Sequence, residues 1–281
     1  MSAADPHQAQ AHPPLGFIGW GPQASALHTL LQGSAPGAAR AAFGLEPTLP
    51  AGSPPLRTIP TLEGLFAQGE ILCLEGGMEA LGGYLPKMRL AIAERHLLVL
   101  LGGGWRMEEL LGQLHDRQVM RCLVLAPGEA GPVLAYHASA HVQPASLQRL
   151  FVLLGGHCAL VPLRNEAHVE LLLGLADLVP AAFQMVTEAM ADAMITMGFR
   201  REGAMRVITS LLLEAAAPPR EGTGGAGGAR ERALDNPLAA AGITEMESAG
   251  LRGMLIKAFR AARAESERNG QDRSSQPLNP S

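Results

Sequence analysis

The sequence predicts an α/β domain followed by an all-helical domain, and three observations indicate this arrangement. Up to residue 163, short apolar runs alternate with helical patterns, which is typical of a mostly parallel sheet covered on both faces. A glycine-containing strand-to-helix turn stands near the start. Beyond residue 164 only helical patterns follow. The expected organisation is a flexible tail over 1–13, an α/β domain over 14–163, a helical domain over 164–270 and a disordered tail over 271–281.

Composition bounds the class of protein. The chain has 281 residues, of which 47% are hydrophobic and 17% charged, enough for two domains with a sizeable core. The net charge of -4 and the lack of a basic stripe argue against a nucleic-acid partner. Cys73, Cys122 and Cys158 lie in apolar runs without disulfide or zinc spacing, which favours a reducing, cytoplasmic location. Since no apolar run reaches about 18 residues and the N-terminus is polar and contains Pro, neither a membrane span nor a signal peptide is expected.

Individual elements follow from the periodicity of apolar residues. Strands are expected at 15–19, 40–45, 71–74, 96–101, 120–125, 133–136 and 159–161. Helices are expected at 22–32, 62–68, 78–95, 106–114, 146–154, 166–178, 180–197, 200–217 and 243–269. The stretch 37–60 is rich in Gly and Pro, so the second strand–helix unit should be reduced.

The first strand-to-helix turn fits the G-x-G-x-x-G/A pattern, with the residues Gly19, Trp20, Gly21, Pro22, Gln23 and Ala24. In this pattern the first Gly allows the tight turn, the second lets a pyrophosphate approach the backbone, and the third small residue lets helix and strand pack closely. The helix N-terminus adds N–H donors and a positive dipole end. The turn therefore predicts a Rossmann-type dinucleotide-binding domain. The alternative is a glycine-rich turn that binds no ligand.

Further cofactor contacts are expected around this turn. Trp20 could cover the cofactor or obstruct it. Glu46 follows the second strand, where a carboxylate would favour NAD by accepting hydrogen bonds from the ribose hydroxyls, although it could equally be a solvated loop residue. Gly102 and Gly103 follow another strand and could approach the nicotinamide or form a simple turn. His137 and His141 lack a third ligand, so no metal site is expected.

Several segments, in order along the chain, resemble pyrroline-5-carboxylate reductases. The resemblance extends from residue 15 to residue 269 and is most specific in the helical half. There, Pro180-Ala181-Ala182-Phe183 resembles a Pro-Ala-Tyr turn, and Glu188-Ala189-Met190-Ala191-Asp192-Ala193 resembles an E-A-x-A-D-A helix. Other matching segments are 16–21, 99–110, 198–204 and 250–252 with 258–264.

Membership of that family implies a helical domain that interleaves with a second subunit, and reduction of a cyclic imine by NADPH or NADH. The family's Lys-Pro after the third strand falls near Glu75 and Gly76, which assigns both to the cofactor site. Its substrate turn and its Thr-containing loop fall near Pro180 and Asn236, which become substrate-binding candidates. Loss of the hydroxyl donors from these segments predicts a less polar substrate than an amino acid, because an apolar side chain cannot hold a carboxylate out of water.

Two hypotheses for function follow. The first is an NAD(P)H-dependent reductase of a cyclic imine or a related C=N or C=O compound, with Glu188, Asp177 or water as the candidate proton donor. The alternative is a non-catalytic relative with a structural, regulatory or partner-binding role. A β-hydroxyacid-type dehydrogenase is disfavoured, since no Lys lies between Lys87 and Lys257. A homodimer is expected, because a helix that is apolar around most of its girth needs burial on more than one side.

Overall fold

A computed structural model of the protein describes residues 15–34, 40–43, 56–77, 81–104, 106–114, 117–125, 131–216 and 233–275. The chain divides into two compact units, Met1–Leu173 and Gly174–Ser281. The division lies within a long helix that begins at Ala167, so its first turns belong to the α/β unit.

Within the described residues, the first unit contains one eight-stranded sheet. Its strands are β1 (Leu15–Ile18), β2 (Arg40–Phe43), β3 (Arg57–Thr58), β4 (Ile71–Glu75), β5 (Leu97–Leu101), β6 (Gln118–Leu125), β7 (Val133–Ala138) and β8 (Ala159–Pro162). The helices of this unit are α1 (Pro22–Ser34), α2 (Leu62–Gln68), α3 (Leu85–Ala91), α4 (Met107–Leu114) and α5 (Pro144–Leu154). A long helix, α6 (Ala167–Thr196), follows them.

The strand order is β3-β2-β1-β4-β5-β6-β7-β8. Strands β1 to β6 run parallel, and the order reverses between β1 and β4. In such sheets a ligand binds at the carboxyl ends of the strands, next to the reversal. Strand β7 is antiparallel to β6, and β8 is parallel to β7. The expected α/β, Rossmann-type fold is confirmed, with two reversed strands at one edge.

Both faces of the sheet are buried, which is why its central strands are apolar without alternation. One face packs α1 and α5 through residues such as Leu27 and Leu153. The opposite face packs α2, α3 and α4 through residues such as Phe66, Met88 and Leu110.

The second half is helical, as expected, but its helix boundaries differ from the prediction. Helix α6 runs through Pro180 without ending there. A proline in a helix interior removes one hydrogen bond and usually kinks the helix, yet helix formers on both sides can carry it through. Helix α7 spans Arg201–Ala216, and the expected final helix is two helices, α8 (Pro237–Ser248) and α9 (Leu251–Ser275). Gly250, at φ 77°, separates them.

Three further predictions of elements were wrong or incomplete. The helix expected over 78–95 is a 3₁₀ turn (Gly82–Tyr84) followed by the short helix α3, and residues 78–80 lie outside the described residues. Strand β3 was not predicted, because it has only two residues, both exposed. The tail expected from residue 271 is helical up to Ser275.

Helix α6 is long and apolar enough to cross a membrane by length and composition alone, with a mean hydropathy of 1.6 over an 18-residue window of which 6% is buried. The sequence analysis expected no apolar run of about 18 residues and therefore no spanning segment, but α6 carries only isolated acidic residues, such as Glu170 and Asp177, among its apolar ones. Such a surface can be buried in lipid or against another subunit.

Candidate dinucleotide-binding site

The turn between β1 and α1 needs glycine at two positions. Gly19 has φ 77°, and a Cβ there would lie 1.9 Å from the carbonyl oxygen of Glu75. A Cβ on Gly21 would lie 2.6 Å from Oε1 of Glu75. Pro22 occupies the first turn of α1, where its missing N–H costs no helical hydrogen bond, and Ala24 is fully buried against the core. Gly19 thus has the tight-turn conformation, and Ala24 the close packing, that the sequence pattern predicts.

Glu75 is the last residue of β4 and reaches across to the start of α1. Its Oε1 accepts a hydrogen bond from the backbone N–H of Gln23 at 3.0 Å, and its Oε2 accepts one from Ala24 at 2.6 Å. We call these two donors the α1 amides. The first N–H groups of a helix have no partner within the helix and carry its positive dipole end. A carboxylate of the chain itself therefore occupies the place where a helix N-terminus binds an anion.

Trp20 is turned toward the packing of β1 and α1. Its ring lies edge-on to Phe17, with centroids 5.1 Å apart, and to His28 at 5.7 Å. Gln23 instead reaches toward the sheet, where its Oε1 accepts a hydrogen bond from the N–H of Val124 at 2.7 Å. Of the two large side chains in the turn, the tryptophan stabilises the domain and the glutamine ties α1 to β6.

The carboxyl ends of β4 and β5 are also built from glycine. Gly76, Gly102 and Gly104 have φ values of 130°, 72° and 94°. A Cβ on Gly104 would lie 3.1 Å from the Cα of Gly77, so the two turns approach each other through their backbones. A Cβ on Gly103 would lie 3.2 Å from the side chain of Leu173, at the start of α6. Main chain therefore dominates this edge of the sheet beside the β1–β4 reversal.

A buried arginine fixes the second glycine turn, and sequence reasoning missed it. Arg121 on β6 is 1% exposed. Its guanidinium donates to the carbonyl of Gly102 from Nε at 3.3 Å and from Nη2 at 3.1 Å. It also pairs with Glu166 at 2.8 Å and with Glu170. Oε1 of Glu166 additionally accepts from the N–H of Met107, at the start of α4, at 2.8 Å.

A signal for this cluster was present in the sequence. Arg121 interrupts the otherwise apolar run of β6, and a charge in a strand buried on both faces requires a partner of opposite charge. The acidic residues that satisfy it lie 45 and 49 positions further along, which periodicity alone cannot connect.

The candidate proton donors and substrate residues lie in the helices. Asp177, Pro180 and Glu188 are exposed on α6. Oε1 of Glu188 accepts a hydrogen bond from Gln184 at 3.1 Å. Since a helix rises about 1.5 Å per residue, Asp177 and Glu188 lie roughly 16 Å apart along α6 and cannot serve one reacting atom together. Asn236 caps α8, where its side chain accepts from the N–H of Leu238 at 3.0 Å.

The remaining predicted residues that the structure describes have ordinary structural contacts. Glu46 lies outside the described residues. Nδ1 of His137 lies 3.0 Å from the carbonyl oxygen of Leu163, which gives the ring a local partner. Burial, with the nearby Glu75 carboxylate, raises the pKa of the Cys73 thiol, which argues against a thiolate nucleophile in β4. Among the described residues, no group of three His, Cys, Asp or Glu side chains is placed to hold a metal ion.

Comparisons with known proteins bear on both halves of the chain. Residues 166–269 match the family model for pyrroline-5-carboxylate reductase dimerisation. A pyrroline-5-carboxylate reductase of Glycine max is 23% identical over 209 residues, covering 73% of this chain and 75% of the relative.

Solved structures share the fold. A pyrroline-5-carboxylate reductase from Coxiella burnetii superposes with a TM-score of 0.71 at 15% identity, covering 92% of this chain and 98% of that one. The Plasmodium falciparum pyrroline carboxylate reductase, solved with NADP bound, gives 0.66 at 14% identity, covering 91% of this chain and 97% of that one.

Fold and site together define a protein with a Rossmann-type domain of dinucleotide-binding topology and a helical dimerisation domain. Residues 166–269 match the pyrroline-5-carboxylate reductase dimerisation family, and most of the chain is similar in sequence to a pyrroline-5-carboxylate reductase.

Proposed function

We propose that this chain is an NAD(P)H-dependent reductase that acts on a cyclic imine or a related C=N or C=O compound. The observation that carries the proposal is the β1–α1 turn: two sterically required glycines stand at the point where the strand order reverses, and the α1 amides there hold a carboxylate, that of Glu75. The Plasmodium falciparum relative, which has the same fold, was solved with NADP bound.

In this proposal the chain's residues position the reactants. When bound, the dinucleotide supplies the hydride from its nicotinamide ring. Gly19 and Gly21 would let its pyrophosphate approach the backbone, and the α1 amides would hold a phosphate oxygen. Gly102 and Gly103, fixed through Arg121, would face the nicotinamide. Gly76 would line the same edge of the sheet.

The substrate would be recognised in the helical domain, near Pro180 and Asn236. Leu238, which follows Asn236, is 86% exposed and offers no hydrogen-bonding side chain. This favours a substrate less polar than an amino acid. Either Glu188 or Asp177 would supply the proton, but not both, because of their separation along α6. We further propose that the chain works as a homodimer in the cytoplasm.

A second candidate function is a non-catalytic family member with a structural, regulatory or partner-binding role. The position of Glu75 favours it, because a negative charge already occupies the α1 amides.

Titration of the purified protein with NADPH and NADH, followed by calorimetry, tests the cofactor. We expect binding in the micromolar range, and loss of at least about tenfold in affinity for Gly21→Ala, because its Cβ would enter the pyrophosphate path. Gly112→Ala on α4 is the matched control, since a Cβ there meets no atom within 4 Å.

Three outcomes separate the candidate functions. Binding together with oxidation of the reduced cofactor by a cyclic imine supports the reductase. Binding without turnover of any imine or carbonyl tested supports the non-catalytic member. If neither cofactor binds at millimolar concentration, the cofactor proposal is wrong.

A further inference from the structure

The carboxylate of Glu75 fills the anion-binding position of the β1–α1 turn. Each of its two oxygens accepts from one of the α1 amides, at 3.0 Å and 2.6 Å. These are the donors that a dinucleotide phosphate would use at this helix N-terminus. A phosphate oxygen and the Glu75 carboxylate cannot occupy the same donors at the same time.

The Glu75 carboxylate also fills the space beside Gly21 in this turn. A Cβ on Gly21 would lie 2.6 Å from Oε1 and 2.7 Å from Cδ of Glu75, so the carboxylate group sits against the glycine that would admit the pyrophosphate. Its negative charge would also repel a phosphate brought close to it, because the two groups carry charges of the same sign.

Within the described residues, two hydrogen bonds hold the Glu75 carboxylate in this position. It is half-buried, and among the described residues no Lys or Arg lies within ion-pair distance of its carboxylate. The next residue, Gly76, has φ 130°, and a Cβ on Gly77 would meet nothing closer than 3.7 Å. Rotation of the side chain away from α1 would break two hydrogen bonds and no ion pair within the described part of the chain.

We propose that Glu75 is an internal competitor for the dinucleotide site, and that a dinucleotide binds only after the carboxylate has left the α1 amides. This inference rests on the proposed function for the identity of the ligand. The competition itself depends only on the position of the carboxylate. Without a ligand, the Glu75 carboxylate occupies the α1 amides. The apparent affinity for the dinucleotide is then the intrinsic affinity multiplied by the fraction of molecules in which Glu75 has left the α1 amides.

Calorimetric titration with NADPH of the wild-type chain, Glu75→Gln and Glu75→Ala tests the proposal. Glu75→Gln keeps the shape of the side chain and removes the charge, and Glu75→Ala opens the position. We expect both to bind NADPH more tightly, by about ten- to hundredfold, the range that a lost charge-assisted competitor gives. Glu63→Gln is the control, because Glu63 lies exposed on α2 and its substitution removes the same charge elsewhere in this unit.

A second measurement makes the result independent of the dinucleotide. Inorganic pyrophosphate is added to each variant, and amide proton–nitrogen correlation spectra are recorded. We expect the signals of Gln23 and Ala24 to shift in Glu75→Ala and to stay in place in the wild-type chain. If pyrophosphate leaves these signals unmoved in Glu75→Ala, or moves them equally in the wild-type chain, the competition is disproved.

The two measurements separate failure of this inference from failure of the proposed function. If all variants bind NADPH equally, the dinucleotide site stands and the competition is wrong. If no variant binds NADPH but pyrophosphate moves the α1 amides in Glu75→Ala alone, the competition stands and the reductase proposal falls. Glu75→Gln guards against misfolding, since it retains an acceptor for the start of α1.

Discussion

His96 shows how a single buried side chain makes the stability of the α/β unit depend on pH. Its Nδ1 accepts a hydrogen bond from the N–H of Ala93 at 2.8 Å, so the ring proton lies on Nε2, which can donate to the carbonyl of Phe66 at 3.0 Å. The ring is fully buried and lies edge-on to Phe66 at 5.4 Å. Burial and, secondly, the charge of Arg95 lower the pKa of His96, so the folded state favours the neutral ring.

The pH dependence follows in sign from that lowered pKa. The unfolded chain takes up a proton at His96 near about pH 6.5, whereas the folded chain does so only at lower pH. The contribution of the neutral ring is therefore present above about pH 6.5 and declines as the pH falls toward the folded-state pKa. We expect the urea midpoint of unfolding to be lower at about pH 5.5 than at about pH 7.5, and the difference to shrink in His96→Gln.

The control for this prediction is His157→Gln, because His157 is exposed after α5. It should keep the pH difference of the wild-type chain. An undiminished difference in His96→Gln would show that another group causes it.

At the scale of elements, Arg121 joins β6 to the turn after β5, the start of α4 and the first turns of α6. Removing one member of a buried ion pair leaves the other charge without compensation. We expect Arg121→Leu to lower the free energy of unfolding of the α/β unit by about 3 kcal/mol. Arg201→Leu breaks an ion pair with Asp192 whose side chains are 66% and 62% exposed, and should cost less than about 1 kcal/mol.

Urea denaturation of both variants measures this difference. If the two substitutions lower the free energy of unfolding equally, the buried Arg121 cluster contributes no more to stability than the exposed Arg201–Asp192 pair. We also expect Arg121→Leu to weaken NADPH binding if Gly102 and Gly103 face the nicotinamide, since the guanidinium holds the Gly102 carbonyl.

Elements of the sheet could be predicted because burial on both faces requires continuous apolar runs, which are visible in the local sequence. Strands β4 and β5 are continuous apolar runs, and the glycine pattern before α1 marks a strand-to-helix turn directly. Interruptions were harder to predict. Pro180 was interpreted as a helix boundary, but the apolar and alanine-rich sequence on both sides continues the helix through it. Gly250 fits the helical pattern of the sequence, but in the structure it has a φ of 77° and separates α8 from α9.

The site was predictable only in the part that is local in sequence. Gly19 to Ala24 were identified because their spacing alone specifies the turn. The contact of Glu75 with the α1 amides spans about fifty residues, and neither partner is unusual by itself. The same holds for Arg121 and its two acidic partners. Contacts between the ends of different strands depend on strand order, which one sequence does not reveal.

At the scale of the whole molecule, the helical half exposes more apolar surface than a single chain can account for. Large side chains on α6 and α7 are exposed, among them Phe183 at 59%, Met185 at 71% and Leu211 at 60%. Extended apolar surfaces of this kind mark an interface with protein or membrane. The match of residues 166–269 to a dimerisation family favours protein.

We therefore expect a homodimer, measured by sedimentation velocity at micromolar concentration. Leu211→Glu should shift the population toward monomer, because burying a carboxylate without a partner in an apolar interface costs several kcal/mol. Thr209→Glu is the control: it adds the same charge to an exposed position about 200° around α7 from Leu211. A monomeric wild-type chain would contradict the dimer. If the chain instead partitions into detergent or vesicles, the apolar face of α6 contacts lipid and not a second subunit.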